Sequence, residues 1–166
     1  MNSIFKRTSI RSYIDKPVPE DVVKRLLEAG MQAPSANNEQ PWHFIVINDK
    51  ELLKKIPSVH PYASMAAESY STICVCGDPS LEKSKGYWVQ DCSAAIENIL
   101  LQATEEGLGA VWCGVYPREE RMNAVRELLQ IPKNILPLAL IPFGYSDKMK
   151  NQNSRFNPDR IHTNKW

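Results

Sequence analysis

The chain has 166 residues, 43% of them apolar and 23% charged, with a formal net charge of +1. That length suits one domain with a substantial core, and the near-neutral balance argues against nucleic acid or an anionic membrane as the main partner. No apolar run approaches the roughly 20 residues of a membrane span, and Met1–Arg11 lacks the apolar stretch and cleavage site of a leader, so a cytoplasmic location is expected.

The run Arg7-Thr8-Ser9-Ile10-Arg11 comes first and is dense in groups that suit phosphate. Pro17-Val18-Pro19-Glu20-Asp21 then announces a helix, because proline fits a first helical position and acids in the first turn complement the dipole. Val23, Leu26, Leu27, Gly30 and Met31 follow at helical spacing and predict one buried face. The next clear pattern is a strand, Phe44–Ile47.

Between that helix and that strand lies Ala33-Pro34-Ser35-Ala36-Asn37-Asn38-Glu39-Gln40-Pro41-Trp42. Long connections without secondary structure are often functional. Two prolines restrict this backbone, while Ser35, Asn37, Asn38 and Gln40 supply donors and acceptors. Composition alone leaves two readings open, a capped turn at a helix end and a rigid ligand-binding loop.

Asp49–Ile56 reads as a short helix stopped by Pro57, and His60–Ala67 as helical or irregular. Tyr70–Cys76 is a second strand, closed by Gly77-Asp78-Pro79, and Ser80–Gly86 a polar, mobile loop that could gate a pocket. The longest helix is expected over Tyr87–Glu106, with Trp88, Cys92, Ala95, Ile96, Ile99, Leu100 and Ala103 on one broad stripe. Gly107-Leu108-Gly109 ends it. Ala110–Val115 is a third strand, with Trp112 read as core, and Pro117–Gln130 another amphipathic helix. Ile135–Phe143 is the last strand, placed at an edge by Pro137 and Pro142.

Gly144–Trp166 is polar and carries Lys148, Lys150, Arg155 and Arg160. Phe156, Ile161 and Trp166 are apolar anchors that a solvated tail does not need, so a wrapping arm is preferred to a frayed end. The expected division is one domain over 1–145 and an arm over 146–166. The fold class is α+β, a four- or five-stranded sheet with helices packed on it.

The chemistry begins with exclusions. Cys74, Cys76, Cys92 and Cys113 have no zinc-motif spacing and read as buried free thiols, Cys74 and Cys76 sharing one strand face. His43, His60 and His162 stand in unrelated contexts, and no G-x-S-x-G elbow supports a nucleophile. No G-x-G-x-x-G or Walker A sequence is present. What stands out is a basic N-terminal cluster, a rigid polar loop, a glycine-flanked Trp112-Cys113-Gly114 strand end and a basic arm. That set suits an enzyme whose cofactor carries the chemistry while protein groups bind and tune it.

Arg7-Thr8-Ser9-Ile10-Arg11, Pro17-Val18, Ala33-Pro34-Ser35-x-x-Asn38-x-Gln40-Pro41-Trp42 and Gly107-Leu108-Gly109-x-x-Trp112-x-Gly114 together resemble, in order and spacing, the FMN-dependent nitroreductase family. The resemblance runs from Arg7 to about Arg160, and Tyr87–Leu101 looks like the family's central dimer helix. It implies a nitroreductase-like α+β fold, a mostly antiparallel four- to five-stranded sheet flanked by helices, in an intertwined homodimer. It also implies non-covalent FMN, with NADH or NADPH as donor. By the resemblance, Arg7, Thr8 and Ser9 would meet the phosphate and ribityl chain, and Arg11 the pyrimidine edge. Pro34, Ser35 and Asn38 would contact the flavin of the other subunit. Cys113 and Gly114 would bring backbone to the N5 side, and Arg155 would bind phosphate, with Lys150 or Arg160 as alternatives. No side chain is expected to act as acid, base or nucleophile. Arg11 and the backbone near Gly114 tune the flavin. The implied cycle is ping-pong, with hydride passing from nicotinamide to flavin and then to a nitroaromatic, quinone or similar acceptor. The alternatives weighed are a flavin carrier or sensor, a flavin-fragmenting or reductive dehalogenating relative, and a small interaction protein that uses the arm only to dimerise.

Overall fold

The computed structural model describes residues 3–148 and 154–166. Lys150, one of the phosphate candidates, lies outside the described residues. The helices are α1 (Ser3–Lys6), α2 (Glu20–Met31), α3 (Lys50–Val59), α4 (Trp88–Glu105) and α5 (Glu119–Leu129). The strands are β1 (Trp42–Ile47), β2 (Ser71–Gly77), β3 (Gly109–Ala110), β4 (Cys113–Gly114) and β5 (Leu136–Gly144). All pair antiparallel in one five-stranded sheet of order β1-β2-β5-β3, and β4 also pairs with β5. The α+β expectation holds.

The sheet is covered on both faces, and strand alternation sorts the core. Ile73 and Val75 of β2 pack with Leu26 of α2 and Ile96 and Ile99 of α4. Cys74 and Cys76 turn the other way, towards Leu53 and Ile56 of α3 and Val125 of α5. Their sulfurs lie 3.7 Å apart, and all four cysteines are free and buried, as the sequence indicated. With helices on both sides, β2 is buried along its whole length.

Four local expectations are corrected. The buried line of α2 is Val22, Leu26 and Gly30, and Met31 is 52% exposed. A Cβ at Gly30 would meet Ile99 at 3.0 Å, so this glycine lets α2 approach α4 and turns the stripe toward it. Pro57 does not stop α3 but sits inside it. Asp49 caps the start by accepting from Glu51 N and Leu52 N, and the missing proline donor falls in the last turn, where it costs one bond.

The third correction concerns β5, an interior strand despite Pro137 and Pro142. On one side, the register against β2 shifts between Val75 and Cys76, beside Pro137. On the other, the neighbour is broken into β3, opposite Phe143 and Gly144, and β4, opposite Ala139 and Leu140. The prolines are tolerated because the ladder is interrupted beside them. The single strand expected over Ala110–Val115 is therefore two short ones, and Trp112 between them is 37% exposed, not core.

Fourth, Ser80–Gly86 is fastened by carboxylates. Glu39 Oε1 accepts from Lys83 N and Ser84 N, and Glu82 Oε1 accepts from Gly86 N (2.9 Å) and Trp88 N (2.8 Å), capping α4. Residues 154–166 are all exposed. Among the described residues no helix is long and apolar enough to cross a membrane, and no group of His, Cys, Asp and Glu could hold a metal ion.

Candidate functional site

The N-terminal strip joins the sheet at β3. Ser9 bridges Ala110 of β3 in parallel, and Ile10 N donates to the Ala110 carbonyl at 3.0 Å. Ile10 is buried against Gly109, where a Cβ would stand 2.6 Å from Ile10 Cγ2. Extended backbone alternates, so burying Ile10 turns Ser9 and Arg11 outward, and both are exposed. The Tyr13 hydroxyl lies within hydrogen-bond distance of the carbonyls of Ile10 (3.0 Å) and Pro142 (2.9 Å), which ties the strip to β5. Burial raises the Tyr13 pKa, so the phenol stays protonated.

Ser9, Arg11 and Lys148 line a hollow of about 240 Å³. Lys148 was not among the phosphate candidates of the sequence, where nothing distinguished it from Lys150. Arg7 sits behind the strip, its Nε 3.5 Å from Glu97 Oε1 of α4. The Thr8 Oγ1 is buried without a hydrogen-bond partner among the described residues, an orphan that a ligand oxygen could satisfy.

The Cys113 thiol of β4 feels burial, which raises its pKa, and the charges of Arg11 and Arg121, whose opposing pull is the weaker. The thiol is pushed up to about 11, so Cys113 remains a neutral packing group. Gly114 stands opposite Ala139, and its neighbour Val115 donates to the Leu138 carbonyl at 2.9 Å. In an antiparallel ladder the groups of Gly114 then face away from β5. The Gly114 carbonyl accepts from Arg121 Nη1 at 2.7 Å and lies 2.9 Å from His60 Nε2. A Cβ built on Gly114 would meet nothing within 4 Å, so its backbone borders open space.

His60 and Arg121 were invisible to sequence reasoning, being 54 and 7 residues from the carbonyl they share. His60 is 1% exposed, and burial lowers its pKa, so the ring is neutral. A carbonyl can only accept, which places the ring proton on Nε2. The buried Nδ1 has no partner.

The loop Pro34–Asn38 is held elsewhere. Ala36 N donates to Asp91 Oδ1 at 3.0 Å, and Asn37 Nδ2 to Ser84 Oγ at 2.6 Å. Asn37, Asn38 and Gln40 have positive φ (49, 54 and 50°), a conformation asparagine tolerates better than most residues. Ser35 Oγ accepts from Gln40 N at 3.0 Å and Asn38 Oδ1 from Gln40 Nε2 at 2.8 Å, so both expected contact residues also brace the loop. Asp91 is buried, with Oδ2 unpartnered, and desolvation raises its pKa, aided by Glu39 and Glu82.

The structure thus gathers Ser9, Arg11 and Lys148 beside β3, with Arg7 and Thr8 preceding them in the strip. The loop stands apart. Asp91 and Glu97 are six residues apart on α4, which places the anchors of loop and strip about 9 Å apart along the axis and roughly a third of a turn round it. Arg155 and Arg160 lie on the exposed arm.

The nitroreductase family model matches residues 4–73 and 63–145 of the chain. An Archaeoglobus fulgidus protein, provisionally named NADH dehydrogenase/NAD(P)H nitroreductase, is 50% identical over all of this chain and 98% of its own. A crystal structure from Clostridium acetobutylicum, provisionally titled an NADH oxidase, is similar at 40% identity with a TM-score of 0.96, covering 99% of this chain and 100% of that one. A Desulfovibrio desulfuricans protein, provisionally titled a nitroreductase and crystallised in complex with FMN, matches at 28% identity and a TM-score of 0.83, over 99% and 95% of the two chains. With the family model spanning most of its length and a relative at this identity, the chain belongs to the nitroreductase family.

Proposed function

We propose that this chain is an FMN-dependent oxidoreductase that works as a homodimer, takes hydride from NADH or NADPH, and passes it to a nitroaromatic, quinone or similar acceptor by a ping-pong cycle. The observation that carries the reading is the hollow lined by Ser9, Arg11 and Lys148 beside β3, taken with the open space at the Gly114 backbone of β4. The residues fit the group. Arg7, Ser9 and Lys148 supply phosphate donors, the orphaned Thr8 hydroxyl awaits one more partner, and the space at Gly114 is what a planar ring needs to approach a strand.

Bound FMN would supply the two-electron chemistry, and the protein's part is binding, orientation and charge. Arg11 is given the pyrimidine edge, where a fixed guanidinium stabilises the negative charge that reduction brings. Cys113 and Gly114 contribute backbone, since the Cys113 thiol stays protonated. Pro34, Ser35 and Asn38 belong to the partner's site in this reading, which is supported by the separate anchorage of the intervening Ala36 and Asn37 on Asp91 and Ser84.

Residues 1–145 would form the catalytic domain and 146–166 the arm, with Arg155 as its phosphate contact. Phe156 is 75%, Ile161 58% and Trp166 101% exposed, anchors without a socket on their own subunit. Strand β1 is an open edge of the sheet, and hollows of about 300 and 210 Å³ lie against it, both lined by Val46 and Asn48. A second copy's arm laid along that edge would cover both. A cytoplasmic location suits a reaction that draws on the reduced nicotinamide pool.

The test is anaerobic reduction of the purified, FMN-loaded protein by NADH and by NADPH, followed by a panel of acceptors. A yellow protein bleached by either donor and reoxidised by nitroaromatics or quinones is the expected result. A protein that stays colourless with added FMN refutes the flavin assignment, and one that stays yellow with both donors refutes the oxidoreductase.

A further inference from the structure

We propose that His60 and Arg121 form a positioning clamp on the Gly114 carbonyl, and that this clamp sets how readily the bound flavin accepts electrons. The inference rests on the FMN reading above.

Strand β4 is only Cys113–Gly114, and Gly114 has no side chain to lock its peptide by packing. Its carbonyl points away from β5: the ladder holds the other end of that peptide, where Val115 N donates to the Leu138 carbonyl at 2.9 Å, and gives the carbonyl oxygen no strand partner. Two donors from different elements reach it. Arg121 Nη1, from the first turns of α5, approaches at 2.7 Å, a charge-assisted bond. His60 Nε2, from the residue that follows α3, approaches at 2.9 Å. Tyr62 braces both, with its ring edge-on to His60 (centroids 6.4 Å apart) and beneath the Arg121 guanidinium at 5.5 Å.

The arrangement is costly for a purely structural contact. His60 is fully buried with Nδ1 unpartnered, a desolvation penalty that a leucine of similar size would avoid. The clamp also carries a guanidinium charge to the Gly114 carbonyl, beside the open space at its Cα. That charge favours an electron-rich group placed there. Removing either donor therefore makes reduction of the bound cofactor harder, while the phosphate-binding strip holds it as before.

The experiment compares wild type, His60→Leu, His60→Gln, Arg121→Met and Arg121→Lys, each loaded with FMN. FMN affinity, the midpoint potential of the bound flavin, the anaerobic reduction rate and the melting temperature are read for each. Arg121→Met and His60→Leu are expected to stay yellow, with a reduction equilibrium about tenfold less favourable, some 30 mV for a two-electron couple. His60→Gln, whose amide can donate to the same carbonyl, is expected to recover most of the shift, and Arg121→Lys part of it. A merely structural clamp would lower the melting temperature and leave the potential in place, which overturns the proposal. If His60→Leu does not fold, Arg121→Met on the partly exposed α5 surface decides alone. A colourless wild type overturns the FMN reading and the clamp with it. A yellow wild type whose variants keep its potential overturns the clamp only.

Discussion

Gly114→Ala separates the cofactor assignment from general damage, because the two effects have opposite signs. Gly114 is not among the positive-φ glycines, Gly86 and Gly107, so an alanine suits its strand conformation. In the protein alone the new methyl meets nothing within 4 Å. Glycine to alanine at such a site stabilises by about 0.4–1 kcal/mol, by restricting the unfolded chain. For a domain of this size each kcal/mol moves the melting temperature by about 2–4 °C, so a rise of about 1–4 °C is expected. The flavin feels the reverse. A ring packed on the Gly114 backbone sits at about 3.5–4.0 Å, and a methyl carried about 1.5 Å out from Cα occupies that gap. Overpacking of this kind costs about 1–3 kcal/mol. At about 1.4 kcal/mol per tenfold, FMN binding weakens about 5- to 150-fold. Thermal melts without FMN and a fluorescence-quenching titration with it measure the two halves. Unchanged FMN affinity would show that Gly114 does not face the cofactor. A fall in the apo melting temperature would show that the space beside it is not open.

Gly109→Ala should do the opposite to the apo-protein, since its Cβ would lie 2.6 Å from Ile10 Cγ2 and 2.8 Å from Ile10 Cβ. The strip must move, at a cost of about 1–3 kcal/mol, and FMN affinity should fall with the melting temperature; a variant that melts like wild type means the strip yields freely. Asp91→Asn keeps an oxygen for Ala36 N and removes a buried charge. Because burial raises the folded pKa of Asp91, its stabilising contribution is complete below the ordinary carboxylate range and lost as pH rises through the folded value. The variant should therefore match wild type in acid and melt higher at pH 8, and parallel melting curves across pH would contradict the assignment. Arg7→Ala should chiefly weaken FMN affinity, whereas Arg11→Ala should retain more FMN and slow its reduction; if titration and stopped-flow show the two behaving alike, their roles are not divided as described. Deleting residues 146–166 should leave the fold and abolish the dimer in light scattering, and an intact dimer would remove the arm from the interface.

Legibility followed the kind of interaction. Period and punctuation located α2, α4 and α5 and the strands β1, β2 and β5, because those elements are set by apolar spacing and by local breakers such as Gly107. The strip Arg7–Arg11 and the loop Pro34–Asn38 stood out as candidates because their chemistry is concentrated in short runs. Errors came where a distant contact overrode a local rule. Pro57 looked like a stop, but a helix near its end can lose one donor. Met31 matched the apolar spacing of α2, but Gly30 against Ile99 set the rotation of the helix. Ser80–Gly86 looked mobile from composition, yet the carboxylates that hold it come from Glu39 and from within the segment. His60 carried no signal, and Lys148 was one basic residue among several in the arm, since their significance exists only once β4 and the strip are in place.

The prolines of β5 connect sequence to site most directly. An interior strand with two prolines cannot offer a full ladder to its neighbour, so the partner segment breaks into β3 and β4. The break has three consequences on the same side of the sheet. β3 ends early, and its free edge takes the parallel bridge from Ser9, which sets Arg11 facing outward. Val111 and Trp112 span the gap, and Trp112 is turned out of the core to 37% exposure. β4 then presents Gly114 at a position where its carbonyl faces away from β5 and is met by His60 and Arg121. A proline pair that read as an edge signal instead marks where a central strand stops pairing. The open edge it creates takes the arginine strip at β3 and exposes the glycine backbone at β4.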